Sequence, residues 1–205
     1  DEVMETEDAE LYMELDSWFA ENLPWPPPCR NQEPVVCWFK TEPDLYERGV
    51  RNFVVSELPQ NWTEYADANF LQVPHPLKAL QRLAEKYRSR FDVPVIGITG
   101  SNGKTVVKEW IYQLLSPERV ITRSPRSYNS QIGVPLSVWL MNERTELGLF
   151  EAGISEMGEM EALQSIIRPT IGILTNIGGA HQENFYSVPD KCMEKLTLFK
   201  DCDVV

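Results

Sequence analysis

The run Gly97-Ile98-Thr99-Gly100-Ser101-Asn102-Gly103-Lys104-Thr105 constrains this chain more than any other segment. It follows an apolar stretch ending at Ile98 that predicts a buried strand over 94–98. It precedes Val106 to Leu115, whose apolar residues recur with helical spacing and predict a helix over 104–115. Strand, glycine turn, Lys-Thr and helix together make a phosphate-binding loop. Its glycines let the backbone approach a polyphosphate, and the N–H groups at the helix start point toward it. Lys104 is then expected on the β- and γ-phosphates and the Thr105 hydroxyl on Mg²⁺. A plain glycine-rich turn is the alternative reading. The general pattern also places a glycine where this chain has Ile98, so the loop is a variant of it.

Past residue 92 the pattern alternates. Strands are expected at 94–98, 119–122, 147–152 and 170–175, and helices at 104–115, 134–141, 157–167 and 188–200. Such alternation predicts an α/β fold with a parallel sheet and helices on both faces. Ahead of it, Val35 to Phe39 and Asn52 to Val55 read as strands, with a short helix at 44–48 between them and a longer one from Pro76 to about Arg90. An acidic amphipathic helix is expected at 8–21, followed by a proline-rich stretch from Leu23 to Cys29. These features predict a smaller N-terminal α/β domain, 1–91, joined near Phe91-Asp92 to a second domain, 92–205. Asp203-Val204-Val205 reads as the opening of another strand, which raises the expectation that the sequence is a piece of a longer protein.

Charge narrows the function classes. The net charge is −12, but residues 1–21 hold nine acids and no base, leaving the remainder at only −3. No basic patch suits nucleic acid, and no apolar run approaches the ~20 residues of a membrane span. The four cysteines, Cys29, Cys37, Cys192 and Cys202, have no Cys-x-x-Cys spacing, which fits a reduced cytoplasmic protein.

In a parallel sheet, ligands bind beyond the carboxyl ends of the strands. Strand 147–152 ends at Glu151-Ala152-Gly153, a carboxylate placed for Mg²⁺ beside the phosphates. Strand 170–175 leads through Asn176 and Gly178-Gly179 to His181, a candidate metal or catalytic group.

Taken in order, Thr99 to Thr105, Tyr128-Asn129-Ser130-Gln131-Ile132-Gly133-Val134-Pro135, Glu151-Ala152-Gly153 with Gly158-Glu159-Met160, and Thr175-Asn176-Ile177-Gly178 with Ala180-His181 resemble the Mur ligase family of ATP-dependent amino acid ligases. The likeness covers about residues 46–205. Within the family it is nearest the branch joining D-alanyl-D-alanine to UDP-N-acetylmuramoyl-tripeptide, including forms fused to an alanine racemase. The resemblance implies ATP and two Mg²⁺ ions. It puts Gly100, Ser101, Asn102, Gly103, Lys104, Thr105 and Val106 on the nucleotide, Thr105, Glu151 and His181 at metal, and Asn129 and Ser130 near the substrate. Lys104, His181 and Lys195 take catalytic roles. A lysine after the histidine is carbamylated in the family; the spacing from Leu198-Phe199 favours Lys195, with Lys191 the competitor.

The resemblance implies a UDP-substrate-binding first domain, but residues 1–45 diverge from it, with Asp16-Ser17-Trp18 standing where the family has Asp-Ser-Arg. It also implies an incomplete ATP-binding central domain, so that this stretch alone is not expected to turn over. Other readings are a folylpolyglutamate-synthase-like ligase, a non-catalytic nucleotide-binding module, and a P-loop kinase or ATPase.

Overall fold

The computed structural model describes residues 36–37, 46–47, 50–65, 67–179 and 184–205. The helix expected at 8–21, the proline-rich stretch and His181 lie outside them. The chain divides into two compact units, 1–83 and 84–205.

In the first unit, β1 (Val36–Cys37), β2 (Asn52–Val55) and β3 (Asn69–Gln72) form a parallel sheet in that order. Tyr46 and Glu47 are helical, within the short helix expected at 44–48. Val50, Phe53 and Val55 form the core, with Phe70 stacked on Phe53 at 5.3 Å between ring centroids.

Helix α1 (Pro76–Arg88) carries the division between the units, which falls earlier than the Phe91-Asp92 position read from the sequence. Its last turn is tied into the second unit. The Tyr87 hydroxyl donates to the Met141 carbonyl at 2.6 Å. The buried Arg88 guanidinium donates to the carbonyls of Phe91 (2.6 Å), Ile167 (3.0 Å) and Arg168 (3.4 Å).

The second unit is built on β4 (Val95–Thr99), β5 (Ile121–Arg123), β6 (Leu147–Glu151) and β7 (Ile171–Leu174), in the order β5-β6-β4-β7 and parallel throughout. Every residue of β4 and β6 is buried, as expected of strands covered on both faces. On one face Ile96, Ile98, Leu147 and Leu149 pack against Val107, Ile111 and Tyr112 of α2 (Lys104–Leu115). Each such side chain, fully buried, contributes about 1.5–3 kcal/mol. On the other, Phe199 lies so close to the sheet that a Cβ on Gly172 would sit 2.4 Å from its ring, so only glycine fits there.

The remaining helices are α3 (Gly133–Val138), α4 (Glu159–Ile167) and α5 (Val188–Leu196), the last continued by a 3₁₀ turn over Thr197–Phe199. Ser187 caps α5 by accepting the Asp190 N–H at 3.2 Å. The segment 203–205 contributes a single bridge, Val204 to Ile171, instead of a strand.

Candidate functional site

Four segments meet at the carboxyl edge of the second sheet. The first is the loop from β4 into α2. Gly100 holds φ +143°, a conformation that side-chain-bearing residues avoid, and its ideal Cβ would lie 1.9 Å from the Thr175 hydroxyl. Gly103 precedes the helix at φ +82°. Lys104 donates back across the loop to the Gly100 carbonyl at 2.9 Å, and burial lowers its pKa against the opposing pull of Glu151. The Val106 side chain is about half exposed, so any part it plays at this loop belongs to its backbone.

The loop after β7 latches onto this one. Ser101 N–H donates to the Asn176 carbonyl (2.9 Å), and the Asn176 carboxamide takes the Asn102 N–H (3.1 Å) while donating to the Asn102 carbonyl (3.3 Å). The Thr175 hydroxyl donates to that same carbonyl at 2.6 Å. Two strands thus set the loop's shape.

Glu151, at the end of β6, is wholly buried, and a carboxylate there requires compensation. Its Oε2 accepts from the Thr105 hydroxyl (3.0 Å) and the Asn129 Nδ2 (3.3 Å), and its Oε1 lies 2.9 Å from the ammonium of Lys108, also wholly buried. Lys108 donates in addition to the carbonyls of Ser124 (2.8 Å) and Arg126. Ser130 lies beside Asn129, and its hydroxyl accepts the Gly133 N–H at the start of α3.

Helix α5 supplies the fourth part. Lys195 is only 3% exposed and donates to the Gly100 carbonyl at 3.4 Å. Burial first, then the nearby charges of Lys104 and Lys191, bring its pKa down to about 8. Lys191 is equally buried and donates to the Gly178 carbonyl at 2.7 Å, with its ammonium 5.7 Å from the Phe185 ring. Neither is a solvated helix lysine.

Gly100, Ser101, Lys104, Asn129, Ser130 and Lys195 therefore line one cleft of about 180 Å³, closed on a further side by Gly153, Ile154 and Ser155. Thr105 and Glu151, hydrogen-bonded to each other, lie behind this lining, where Asn129 donates to Glu151. Among the described residues no three His, Cys, Asp or Glu side chains cluster as a metal site. The single carboxylate nevertheless suits Mg²⁺, which takes one or two carboxylates and fills its shell with water and phosphate oxygens. The sequence assigns no role to Lys108, and gives Asn176 only a place in the motif Thr175-Asn176-Ile177-Gly178. Lys108 lies one helical turn beyond Lys104, on the same face, but that spacing names none of its partners, which come from segments distant in sequence.

Residues 98–204 match the Mur ligase middle domain. The UDP-N-acetylmuramoyl-tripeptide–D-alanyl-D-alanine ligase of Bacillus subtilis is 38% identical over 115 residues, covering 56% of this chain and 25% of the relative. That of Borreliella burgdorferi is 36% identical over 156 residues, covering 74% and 34%. The chain thus spans about a quarter to a third of the length of these curated relatives. The crystal structure of MurF ligase from Thermotoga maritima in complex with ADP superposes with a TM-score of 0.70 at 23% identity, covering 90% of this chain and 42% of that one. The expected α/β architecture with parallel sheets is borne out. By its middle domain, this chain belongs to the Mur ligase family.

Proposed function

We propose that this chain is the nucleotide-binding and carboxylate-activating part of a UDP-N-acetylmuramoyl-tripeptide–D-alanyl-D-alanine ligase. The observation that carries the reading is the convergence of Lys104, Asn129, Ser130 and Lys195 on one cleft beside Thr105 and Glu151. The names of the curated relatives support the substrate pair, and the ADP in the Thermotoga maritima structure supports the nucleotide.

In this reading the amides from Gly100 to Val106 and the Lys104 ammonium hold the ATP phosphates, and Thr105 and Glu151 hold Mg²⁺. The metal supplies charge neutralisation as the γ-phosphoryl group moves. Asn129 and Ser130 orient the acceptor peptide so that its carboxylate attacks the γ-phosphorus in line, giving an acyl phosphate and ADP. The amine of D-alanyl-D-alanine then displaces phosphate to form the amide. Fixing both reactants in one cleft is the chain's main contribution to rate.

Lys195 enters this scheme as a carbamate. An ammonium would repel a nearby cation, whereas a carbamate offers it a hard oxygen donor. Carbamate forms from the neutral amine and CO₂, and an amine whose pKa is brought down to about 8 offers more of that form than an ordinary lysine. His181 serves a second Mg²⁺ in this reading. Water-soluble UDP-linked substrates and free Cys192 and Cys202 favour a cytoplasmic enzyme of cell-wall precursor synthesis.

Calorimetry with Mg·ADP tests the reading. Replacing Lys104 by Ala removes a charge-assisted contact of about 1.5–3 kcal/mol, so affinity should fall roughly ten- to hundredfold. Unchanged affinity would reduce the loop to a turn.

A further inference from the structure

Lys108 has no part in the scheme above, yet it is among the most deeply buried charged groups in the second unit. Its ammonium is shared by three segments: the Glu151 carboxylate at 2.9 Å, the Ser124 carbonyl at 2.8 Å and the Arg126 carbonyl. Glu109 on the same helix lies 3.3 Å away. The Ser124 hydroxyl in turn accepts the Glu151 N–H at 3.2 Å, closing a ring through the ends of β5 and β6. Arg126 sits at φ +48°, an unfavourable conformation for a residue with a side chain, at the turn leading to Asn129 and Ser130. An ammonium that donates to two carbonyls and ion-pairs with a buried carboxylate ties all three together; removing it takes a donor from each carbonyl and leaves the carboxylate without its counter-charge.

We infer that Lys108 is a positioning residue: its buried ammonium clamps the Glu151 carboxylate to the Ser124–Arg126 turn. The metal ligand and the loop bearing Asn129 and Ser130 thereby keep one register with the nucleotide helix. The inference rests on the proposed reading of Glu151 as a Mg²⁺ ligand.

The experiment measures ADP affinity of this chain by calorimetry with and without Mg²⁺, for the native protein and for Lys108→Met. The ratio of the two affinities is the coupling between metal and nucleotide. The native ratio should exceed ten. In Lys108→Met it should fall to within threefold of one, while metal-free ADP affinity, which depends on the loop and Lys104, changes less than threefold. Hydrogen exchange at amides 126–130 should accelerate at least tenfold. A native ratio of one would refute the metal reading of Glu151. A native ratio above ten that survives in Lys108→Met, with unchanged exchange, would refute the positioning role alone. If Lys108→Met does not fold, Lys108→Met/Glu151→Gln removes both buried charges and carries the test. Exchange at 126–130 must then exceed that of Glu151→Gln by the same tenfold, and equal exchange overturns the inference.

Discussion

Gly100→Ala isolates the dependence of the nucleotide loop on the neighbouring strand. Two costs add. The first is backbone strain, since φ +143° disfavours any Cβ, worth about 1–3 kcal/mol. The second is the contact at 1.9 Å with the Thr175 hydroxyl. That hydroxyl can rotate away, but only by giving up its bonds to the Asn102 carbonyl (2.6 Å) and the Thr99 carbonyl (3.3 Å), about 1–2 kcal/mol together. The substitution should therefore destabilise the second unit by about 2–5 kcal/mol. Thr175→Ala removes the obstructing atom and, alone, costs the hydrogen-bond part. In the double variant the clash with the hydroxyl disappears and only the 3.1 Å approaches to the Asn176 backbone remain, so the two costs should fall short of additivity by about 1–2 kcal/mol. Native-state hydrogen exchange at the buried amides of β4 and β6 reads this unit separately from the first. Costs that add to within about 0.5 kcal/mol would show that Gly100 and Thr175 do not oppose one another.

Lys195 and Arg88 give two further expectations. The Lys195 pKa of about 8 lies below the ordinary 10.5, so the folded state binds fewer protons between those values. Its contribution to stability is least below pH 8 and rises toward pH 10.5. At pH 7 the neutral amine should amount to roughly 10% of the population, about 300-fold more than for an ordinary lysine. A ¹³C-bicarbonate carbamate signal that strengthens from pH 7 to 8 and vanishes in Lys195→Arg is expected; one that persists in that variant assigns it elsewhere. Arg88→Met strips the donors from three carbonyls and should cost the second unit about 2–4 kcal/mol by hydrogen exchange. A cost under about 1 kcal/mol would mean that water replaces the guanidinium there.

What could be read in advance follows from which residues act through local pattern. Helix α2 begins and ends as expected, because Gly103 and the apolar spacing from Val107 to Leu115 mark both limits within one segment. Strand β3 was not anticipated. Asn69-Phe70-Leu71-Gln72 is a four-residue edge strand, exposed at both ends, and offers neither a continuous apolar run nor a clear alternation. Helix α5 stops short of residue 200 because the chain tightens into a 3₁₀ turn at Thr197, whose hydroxyl donates to the Met193 carbonyl at 3.3 Å.

The site divides along the same line. Glu151 could be placed because a carboxylate at a strand end in a parallel sheet has one neighbourhood available to it. Lys108 could not, since a lysine in an amphipathic helix ordinarily faces water. Its burial is a consequence of where the chain turns after β5 and where β6 ends, both set by sheet order. Strand β5 pairs with β6 and not with β4, so the turn after β5 opens beside Glu151. That places the Ser124 and Arg126 carbonyls within reach of a helix that follows β4. The partners of Lys108 thus come from segments distant in sequence, and their meeting is a property of the topology, which no window along the chain contains.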